Sequence, residues 1–263
     1  MVVDNAIKLL GVHMFSYKID QIAVSFAENK AEIKNTFYSL LDSKKNKISF
    51  INPEIFMQQR KDSELHNYFE SCKYNFVDGI GLLYAINQKF KTHYDSSFRC
   101  PGTDFFEYLP EDKKIRIFFY GSKLENVIKA KELIESKYEN ITIADYFDGY
   151  SSIREEDLIA KINAAEVDIL IVCLGCPKQE FWIKKNFDKL NVKIVFGNGG
   201  SIDFWSGAVK RAPDFFINHG LEFIYRLFQN FTFKRIKRQL KLFNFLFSYK
   251  LRKYEIEKVS VNN

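Results

Sequence analysis

The sequence contains no long apolar run, no Asp-x-Asp pair and no cluster of histidines. The missing Asp-x-Asp pair removes a common way of holding a divalent metal ion on a diphosphate, and the scattered histidines argue against a zinc site. A helix that spans a membrane needs about 20 consecutive apolar residues, whereas the most apolar runs, at 169–174 and 242–247, are far shorter. The N-terminus carries Asp4 and lacks a basic segment followed by an apolar one, so we predict no signal peptide. With 46% hydrophobic and 27% charged residues, the composition also excludes a disordered or collagen-like chain. We therefore expect a cytoplasmic globular protein.

Cysteines are few and mostly isolated. Of the four, only Cys173 and Cys176 have the C-x-x-C spacing of a redox pair or of half a metal site. A zinc site needs further close ligands, but Cys72 and Cys100 stand alone. Because intracellular proteins keep their thiols reduced, we predict four free thiols with a structural role.

The net charge of +6 is unevenly distributed along the 263 residues. From Val209 onwards there are 12 basic and 4 acidic residues, a balance of +8, which leaves 27 basic and 29 acidic residues, or −2, in the first 208. A basic tail on a nearly neutral body indicates a polyanionic partner, such as nucleic acid, anionic lipid or a phosphorylated substrate.

Short apolar runs alternate with amphipathic stretches up to about residue 210, which predicts an α/β fold with a doubly wound, mainly parallel, Rossmann-like sheet. After residue 210 we predict no strand, only helices at 221–229 and 233–249. The predicted domains are therefore an α/β catalytic domain at 1–208 and a basic, aromatic helical C-terminal appendage at 209–263. Strand material is expected within 12–23 and a helix at 28–41. The remaining predicted strands are 47–52, 75–78, 115–120, 141–145, 167–174 and 192–196, and the remaining helices begin at Pro53 or cover 80–89, 124–137, 155–165 and 179–190.

Glycine-rich turns follow four of these strands. In an open α/β sheet, ligands bind at the carboxyl ends of the strands, and glycines there let a ligand approach the backbone N–H groups at helix starts. Together the turns indicate a nucleotide or phosphosugar site. The four turns are Asp78-Gly79-Ile80-Gly81, Gly121-Ser122, Gly175-Cys176-Pro177-Lys178-Gln179-Glu180 and Gly197-Asn198-Gly199-Gly200-Ser201.

Familiar nucleotide-binding signatures are missing from these turns. There is no G-x-x-x-x-G-K-[ST], and the turn at 79–81 lacks the third glycine of G-x-G-x-x-G. A bound diphosphate would then be neutralised by helix dipoles and by cations such as Lys178 and Arg211. Asp78 is the best candidate general base; the alternative is that it only caps the following helix. Gln179, with Glu180, and Asp203 have similar structural alternatives, as first-turn and turn residues.

Eight segments in order resemble the WecG/TagA/CpsF glycosyltransferases, bacterial enzymes of surface-polysaccharide and wall teichoic acid assembly. The resemblance covers roughly residues 45–240, and its Pro-Lys-Gln-Glu and Arg-Ala-Pro segments are specific. The segments are Asn52-Pro53-Glu54, Asp78-Gly79-Ile80-Gly81, Arg99 with Gly102 and Asp104, Phe119-Tyr120-Gly121-Ser122, Gly175-Cys176-Pro177-Lys178-Gln179-Glu180, Gly199-Gly200-Ser201-Ile202-Asp203 with Gly207, Arg211-Ala212-Pro213 and Gly220-Leu221-Glu222-Phe223-Ile224-Tyr225-Arg226-Leu227.

The resemblance implies an inverting, metal-independent glycosyltransferase. It would move a hexose or N-acetylhexosamine from a UDP-sugar to a polyprenyl-diphosphate-linked sugar at the inner face of the cell membrane, without a cofactor or a metal. It implies catalytic roles for Asp78, as base, and for Arg99 and Gln179, which match residues near the sugar and diphosphate. Together with the glycine-rich turns, the resemblance implies the following substrate-binding residues: Asn52, Gly79, Gly81, Gly121, Gly175, Pro177, Lys178, Gly199, Gly200, Asp203, Arg211, Arg226, Arg235 and Arg238.

Departures from the family pattern leave some points open. The family often has threonine where this chain has Phe50, near the sugar site by resemblance, so the donor sugar is not predicted. Asn230-Phe231 replaces a common Glu-Pro, which makes the match of the tail arginines approximate.

The helix at 233–249 suits peripheral binding to anionic lipid, and its alternative is an ordinary surface helix. Two other functions are carried as alternatives: a nucleic-acid-binding protein and a non-catalytic nucleotide-binding regulator. A homo-oligomer is kept as a hypothesis, because helical surfaces rich in phenylalanine can form interfaces.

Overall fold

Nine strands form one sheet within the residues that the computed structural model describes, which are 14–210, 212–213, 216, 225 and 255–259. The strands are β1 (Met14–Ile19), β2 (Ile22–Ala27), β3 (Asn46–Ile51), β4 (Tyr74–Val77), β5 (Ile115–Gly121), β6 (Ile141–Phe147), β7 (Ile169–Cys173), β8 (Ile194–Gly197) and β9 (Ile256–Lys258).

The α-helices of the same part of the chain connect these strands. They are α1 (Lys30–Asp42), α2 (Pro53–Gln59), α3 (Ser63–Glu70), α4 (Ile80–Phe90), α5 (Leu124–Lys137), α6 (Glu155–Ala164), α7 (Lys178–Asn186) and α8 (Ser201–Trp205). Short 3-10 turns lie at Ser96–Phe98, Gly102–Tyr108 and Phe187–Lys189.

The strand order is β6-β5-β7-β8-β3-β4-β2-β1-β9. Every pairing among β2 to β8 is parallel, and β1 is antiparallel to both β2 and β9. The carboxyl ends of β2 to β8 therefore meet at one edge of the sheet. The predicted α/β class with a doubly wound, mainly parallel sheet is confirmed.

Successive residues of the central strands pack on opposite faces of this sheet. Phe50 on β3 and Ile171 on β7 belong to one hydrophobic cluster, and the next residues, Ile51 and Val172, belong to the other. Helices α1, α5 and α8 cover the first face, and α2, α3, α4, α6 and α7 cover the second. Every residue of β7 is buried, as predicted for a central strand.

Two parts of the sheet differ from the sequence prediction. The strand material expected near the N-terminus is an antiparallel hairpin, β1–β2. The prediction of no strand after residue 210 is wrong at β9, which pairs with β1 through Tyr17, Lys18 and Ile19. Three residues with one buried side chain, Ile256, are too few to show a strand period. The predicted helices at 221–229 and 233–249 lie outside the described residues apart from Tyr225, and the boundary at residue 208 stays a prediction.

Candidate functional site

The turns that follow β3, β4, β5, β7 and β8 lie at the shared carboxyl edge of the sheet. Neighbouring strands are about 4.8 Å apart, so the ends of β4 and β8, which have β3 between them, are separated by roughly 10 Å. A ligand with the dimensions of a phosphorylated sugar can therefore contact both ends. The predicted site residues in these turns are Asn52, Asp78, Gly79, Gly121, Gly175, Pro177, Gly199 and Gly200.

Asp78 follows β4 directly and is half-buried. Its backbone N–H donates to the Ile51 carbonyl at 2.9 Å, which ties this turn to the end of β3. The N-cap of α4 is Gly79, one residue after the aspartate. A Cβ on Gly79 would lie 2.6 Å from Pro53 Cδ, so only glycine lets the starts of α2 and α4 approach this closely. Asp78 is thus held at the edge, outside the capping position that the alternative interpretation gave it.

Arg99 lies beside this turn. Its Nη1 donates to the Asp78 carbonyl at 3.4 Å, and its Nε donates to the Ser96 carbonyl at 3.3 Å. The following residue, Cys100, donates its backbone N–H to Val77 at 2.7 Å, which fixes the segment against β4. The structure therefore brings the two predicted catalytic residues Asp78 and Arg99 together, with a cation next to the candidate base.

Two buried neutral side chains, Cys100 and Tyr108, lie near Asp78. Burial raises the pKa of the Cys100 thiol and that of the Tyr108 phenol, and the nearby carboxylates Asp78 and Asp104 raise both further. Both groups stay protonated at neutral pH as a result. Cys100 is therefore unsuited to act as a nucleophile, and the role of Asp78 as base stays a prediction.

Gly199 and Gly200 form an exposed turn after β8. Gly200 has φ +83°, in the left-handed region that favours glycine, and it is the N-cap of α8. Among the described residues, no heavy atom outside the adjoining chain lies within 4 Å of the position that a Cβ on Gly200 or on Gly175 would occupy. The backbone of these turns therefore has space for the close approach of a phosphate, and the predicted ligand contacts of the two turns stay a prediction.

Gln179 lies beneath these turns and is only 3% exposed. Its Oε1 accepts a hydrogen bond from the Gly175 N–H at 3.0 Å, and its Nε2 donates to Glu180 Oε1 at 2.8 Å. A Cβ on Gly197 would lie 2.5 Å from Gln179 Nε2, and one on Gly199 would lie 2.9 Å from its Oε1. The predicted catalytic contact of Gln179 stays a prediction, because its amide is engaged by the protein on both sides.

Asp203 on α8 binds side chains from the turn after β5 and from α5. Its Oδ1 accepts hydrogen bonds from Ser122 Oγ at 2.6 Å and from Asn126 Nδ2 at 2.9 Å. Ser122 has φ +60°, and a Cβ on Gly121 before it would lie 2.5 Å from the Cys173 carbonyl group. Asp203 therefore connects α8 to the turn after β5, and its predicted substrate contact stays a prediction.

The other predicted residues have varied positions. Asn52 caps α2, since its Oδ1 accepts from the Ile55 N–H at 3.0 Å. Gly81 is buried inside the first turn of α4, away from the open surface of the edge. Pro177 follows a cis peptide bond and precedes the exposed Lys178 at the start of α7. The remaining predicted substrate-binding residues lie outside the described part of the chain: Arg211, Arg226, Arg235 and Arg238.

Phe50 is part of the hydrophobic core. Its side chain is 5% exposed, and its ring lies 5.2 Å from that of Phe196 and 5.7 Å from that of Phe76, measured between centroids. The resemblance placed this position near the sugar site. The structure instead gives the phenylalanine an aromatic cluster as its surroundings.

Two buried polar residues near these turns, Asn198 and Glu180, are not among the site residues predicted from the sequence. Asn198 is buried, and its Nδ2 donates to the Gly102 carbonyl at 2.9 Å, which links the turn after β8 to the segment after Arg99. Its position between two glycines after a buried strand is the only signal in the sequence. Glu180 is 3% exposed, which its place in a Lys-Gln-Glu segment does not suggest.

Membrane-spanning helices and groups of metal ligands are both absent from the part of the chain that the structure describes. None of the helices there is both long and apolar enough to cross a membrane. No three His, Cys, Asp or Glu side chains in that part of the chain are grouped as metal ligands, and metal independence stays a prediction. All four cysteines are free thiols, as predicted.

The fold defines the class: an α/β protein with a mainly parallel sheet, in which the carboxyl ends of the strands are the expected place for a ligand. Residues 12–258 match the Glycosyl transferase WecG/TagA/CpsF family, and the chain belongs to this family. It is therefore a glycosyltransferase, and the resemblance drawn from the motifs is confirmed.

Two curated relatives cover most of the same region. The N-acetylglucosaminyldiphosphoundecaprenol N-acetyl-beta-D-mannosaminyltransferase of Bacillus subtilis (strain 168) is 39% identical over 188 residues, 70% of this chain and 71% of its own. The enzyme of the same name from Bacillus spizizenii is 36% identical over 191 residues, 70% of this chain and 73% of its own.

Proposed function

We propose that this protein transfers a hexose or N-acetylhexosamine from a UDP-sugar to a polyprenyl-diphosphate-linked sugar, with inversion and without a metal ion. The observation that carries the proposal is the half-buried Asp78 beside Arg99, at the same sheet edge as the exposed Gly199–Gly200 turn. The names of the two Bacillus relatives specify a lipid-diphosphate acceptor, which supports the acceptor class.

Asp78 is the general base of this mechanism. Its carboxylate takes the proton of the acceptor hydroxyl while that oxygen attacks the anomeric carbon. A bond forms between the acceptor oxygen and the anomeric carbon, and the bond from that carbon to the diphosphate oxygen breaks. The electron pair leaves with UDP, and attack opposite the leaving group inverts the anomeric configuration.

The diphosphate is bound by backbone donors and cations. The Gly199–Gly200 turn is exposed and leaves space for close approach, and backbone N–H groups that already point at the developing charge stabilise it at little reorganisation cost. Arg99 beside Asp78 and the exposed Lys178 provide positive charge at the same edge. Gln179 acts from below, by holding the turns.

The test is release of UDP from a panel of UDP-hexoses and UDP-N-acetylhexosamines, with a polyprenyl-diphosphate-linked N-acetylglucosamine as acceptor. We expect turnover with at least one donor, also in EDTA. Asp78→Asn keeps the shape of the side chain and removes the base, so kcat should fall by about 10²- to 10⁴-fold. Asp188→Asn, at an exposed aspartate away from this edge, is the matched control and should retain wild-type turnover.

Each outcome bears on one part of the proposal. Undiminished turnover in Asp78→Asn would refute the base assignment. Absence of turnover with every UDP-sugar would refute the donor class, and loss of activity in EDTA that returns with a divalent cation would refute metal independence.

We also propose that the basic tail binds the anionic inner face of the cell membrane. Five basic side chains near an anionic surface contribute about 1 kcal/mol each, which gives reversible binding. Truncation near Val209 would also remove β9 from the sheet, so the full chain is needed. Replacing the five residues with glutamine should abolish sedimentation with vesicles that contain anionic lipid; equal sedimentation would refute the role. The residues are Lys234, Arg235, Lys237, Arg238 and Lys241.

A further inference from the structure

Glu180 places a carboxyl group in the protein interior without a compensating charge. The residue lies in the first turn of α7 and is 3% exposed. Its Oε1 accepts a hydrogen bond from Gln179 Nε2 at 2.8 Å, whereas its buried Oε2 has no hydrogen-bond partner among the described groups. An ionised carboxylate in such a place loses its hydration without a matching gain.

Three titratable side chains face Glu180: the Tyr68 phenol on α3, the Cys72 thiol just after that helix and the Cys176 thiol in the turn before α7. The cation Lys47 on β3 lies on the far side of this group, where its Nζ donates to Ser71 Oγ at 2.9 Å and lies 6.0 Å from the centroid of the Tyr68 ring. The Tyr68 hydroxyl is itself buried without a hydrogen-bond partner among the described residues. Burial raises the pKa of each of the two groups Tyr68 and Cys72.

The lysines of α7 are committed elsewhere. Lys184 Nζ lies 3.6 Å from Glu64 Oε1, and Lys185 Nζ lies 2.8 Å from Glu155 Oε1, while Lys178 is exposed. Burial therefore raises the pKa of Glu180, and the weaker opposing effects of Gln179, of the Glu180 backbone N–H and of Cys176 do not cancel this rise.

A chain of contacts leads from this carboxyl to the ligand edge. Glu180 accepts from the Gln179 amide, and that amide accepts from the N–H of Gly175. The same amide fills the space that side chains on Gly197 and Gly199 would need. The orientation of Gln179 thus sets how the open turns after β7 and β8 lie.

We propose that Glu180 is a positioning residue that works in its protonated, neutral form, holding the Gln179 amide so that the turns at Gly175 and Gly199 face the substrate. The neutral state is a property of the fold. The effect on turnover rests on the proposed function.

The first test is the pH dependence of equilibrium unfolding in urea, wild type against Glu180→Gln. The unfolded chain releases the Glu180 proton near pH 4.3, whereas the folded protein keeps it to higher pH. Between these two values the folded state binds one more proton, so stability falls as pH rises. Relative to Glu180→Gln, the wild-type folding equilibrium constant should drop by about tenfold per pH unit in that window. A parallel pH dependence in the two proteins, or a wild type that gains relative stability with pH, would overturn the proposal.

The second test is steady-state kinetics with the UDP-release assay. Glu180→Gln keeps an acceptor for Gln179 and no charge, so kcat should stay within about threefold of wild type, whereas Glu180→Ala should lower it by at least about tenfold. Equal losses in the two variants would show that the charge or the acid itself is needed, against the proposal. If wild type shows no transfer at all, the proposed function fails, and the unfolding experiment still decides the protonation state.

Discussion

Replacing Phe50 with threonine, the residue that the family often has at this position, is predicted to destabilise the protein severely. The ring is 5% exposed and packs against Phe76 and Phe196. Truncating a buried phenylalanine to alanine costs about 3–5 kcal/mol. Threonine restores one methyl group but adds a hydroxyl to an apolar cluster, which costs about 1–3 kcal/mol when it lacks a partner. We therefore expect a loss of about 3–5 kcal/mol, out of a total that is typically about 5–15 kcal/mol.

Urea unfolding at pH 7, followed by circular dichroism, measures this loss. Tyr84→Thr is the matched control, because Tyr84 is 43% exposed on α4 and the change should cost less than about 1 kcal/mol. A loss below about 1 kcal/mol for Phe50→Thr would refute the packing argument. It would mean that the position tolerates a small polar residue, as a ligand-lining position would.

Two further substitutions test the edge of the sheet. Gly79→Ala places a Cβ 2.6 Å from Pro53 Cδ. It should therefore lower the free energy of unfolding in urea by about 1–3 kcal/mol, and it should lower turnover because the neighbouring turn is displaced. Unchanged stability and turnover would contradict this steric argument. Asp203→Ala removes the acceptor shared by Ser122 and Asn126 and should cost about 1.5–3 kcal/mol, whereas Asp203→Asn, which keeps an Oδ1, should cost clearly less. Equal losses in the two Asp203 variants would contradict this role.

Most of the sheet could be predicted because its pattern is physically simple. The parallel strands are apolar on both faces, and helix α5 occurs at the predicted bounds, 124–137. Helix α3 was missed because it has only eight residues, about two turns, and its start is defined mainly by Asp62, whose side chain accepts from the Glu64 and Leu65 N–H groups. Strand β9 was missed because its three residues carry no strand pattern of their own and are assigned as a strand only through their pairing with β1.

The candidate site was predictable to the level of turns. Once the strands are assigned, parallel topology brings Asp78 and Gly199 to one edge whatever their side chains do. Sequence could not show which way individual side chains face. Gly81 is buried in a helix, and Asp203 is held by two protein groups, because packing around each turn decides these orientations.

The Lys-Gln-Glu segment at the start of α7 illustrates why the distinction matters for mechanism. Successive helical residues are about 100° apart around the axis, so the three polar side chains cannot all face the ligand. Lys178 is exposed, while Gln179 and Glu180 are buried beneath the turns. Loss of activity in a Gln179 variant would therefore not by itself indicate a contact with substrate. A loss through the turns should come with a loss of folding stability, since Gly175 then loses its hydrogen-bond acceptor, whereas loss of a substrate contact alone would leave stability unchanged.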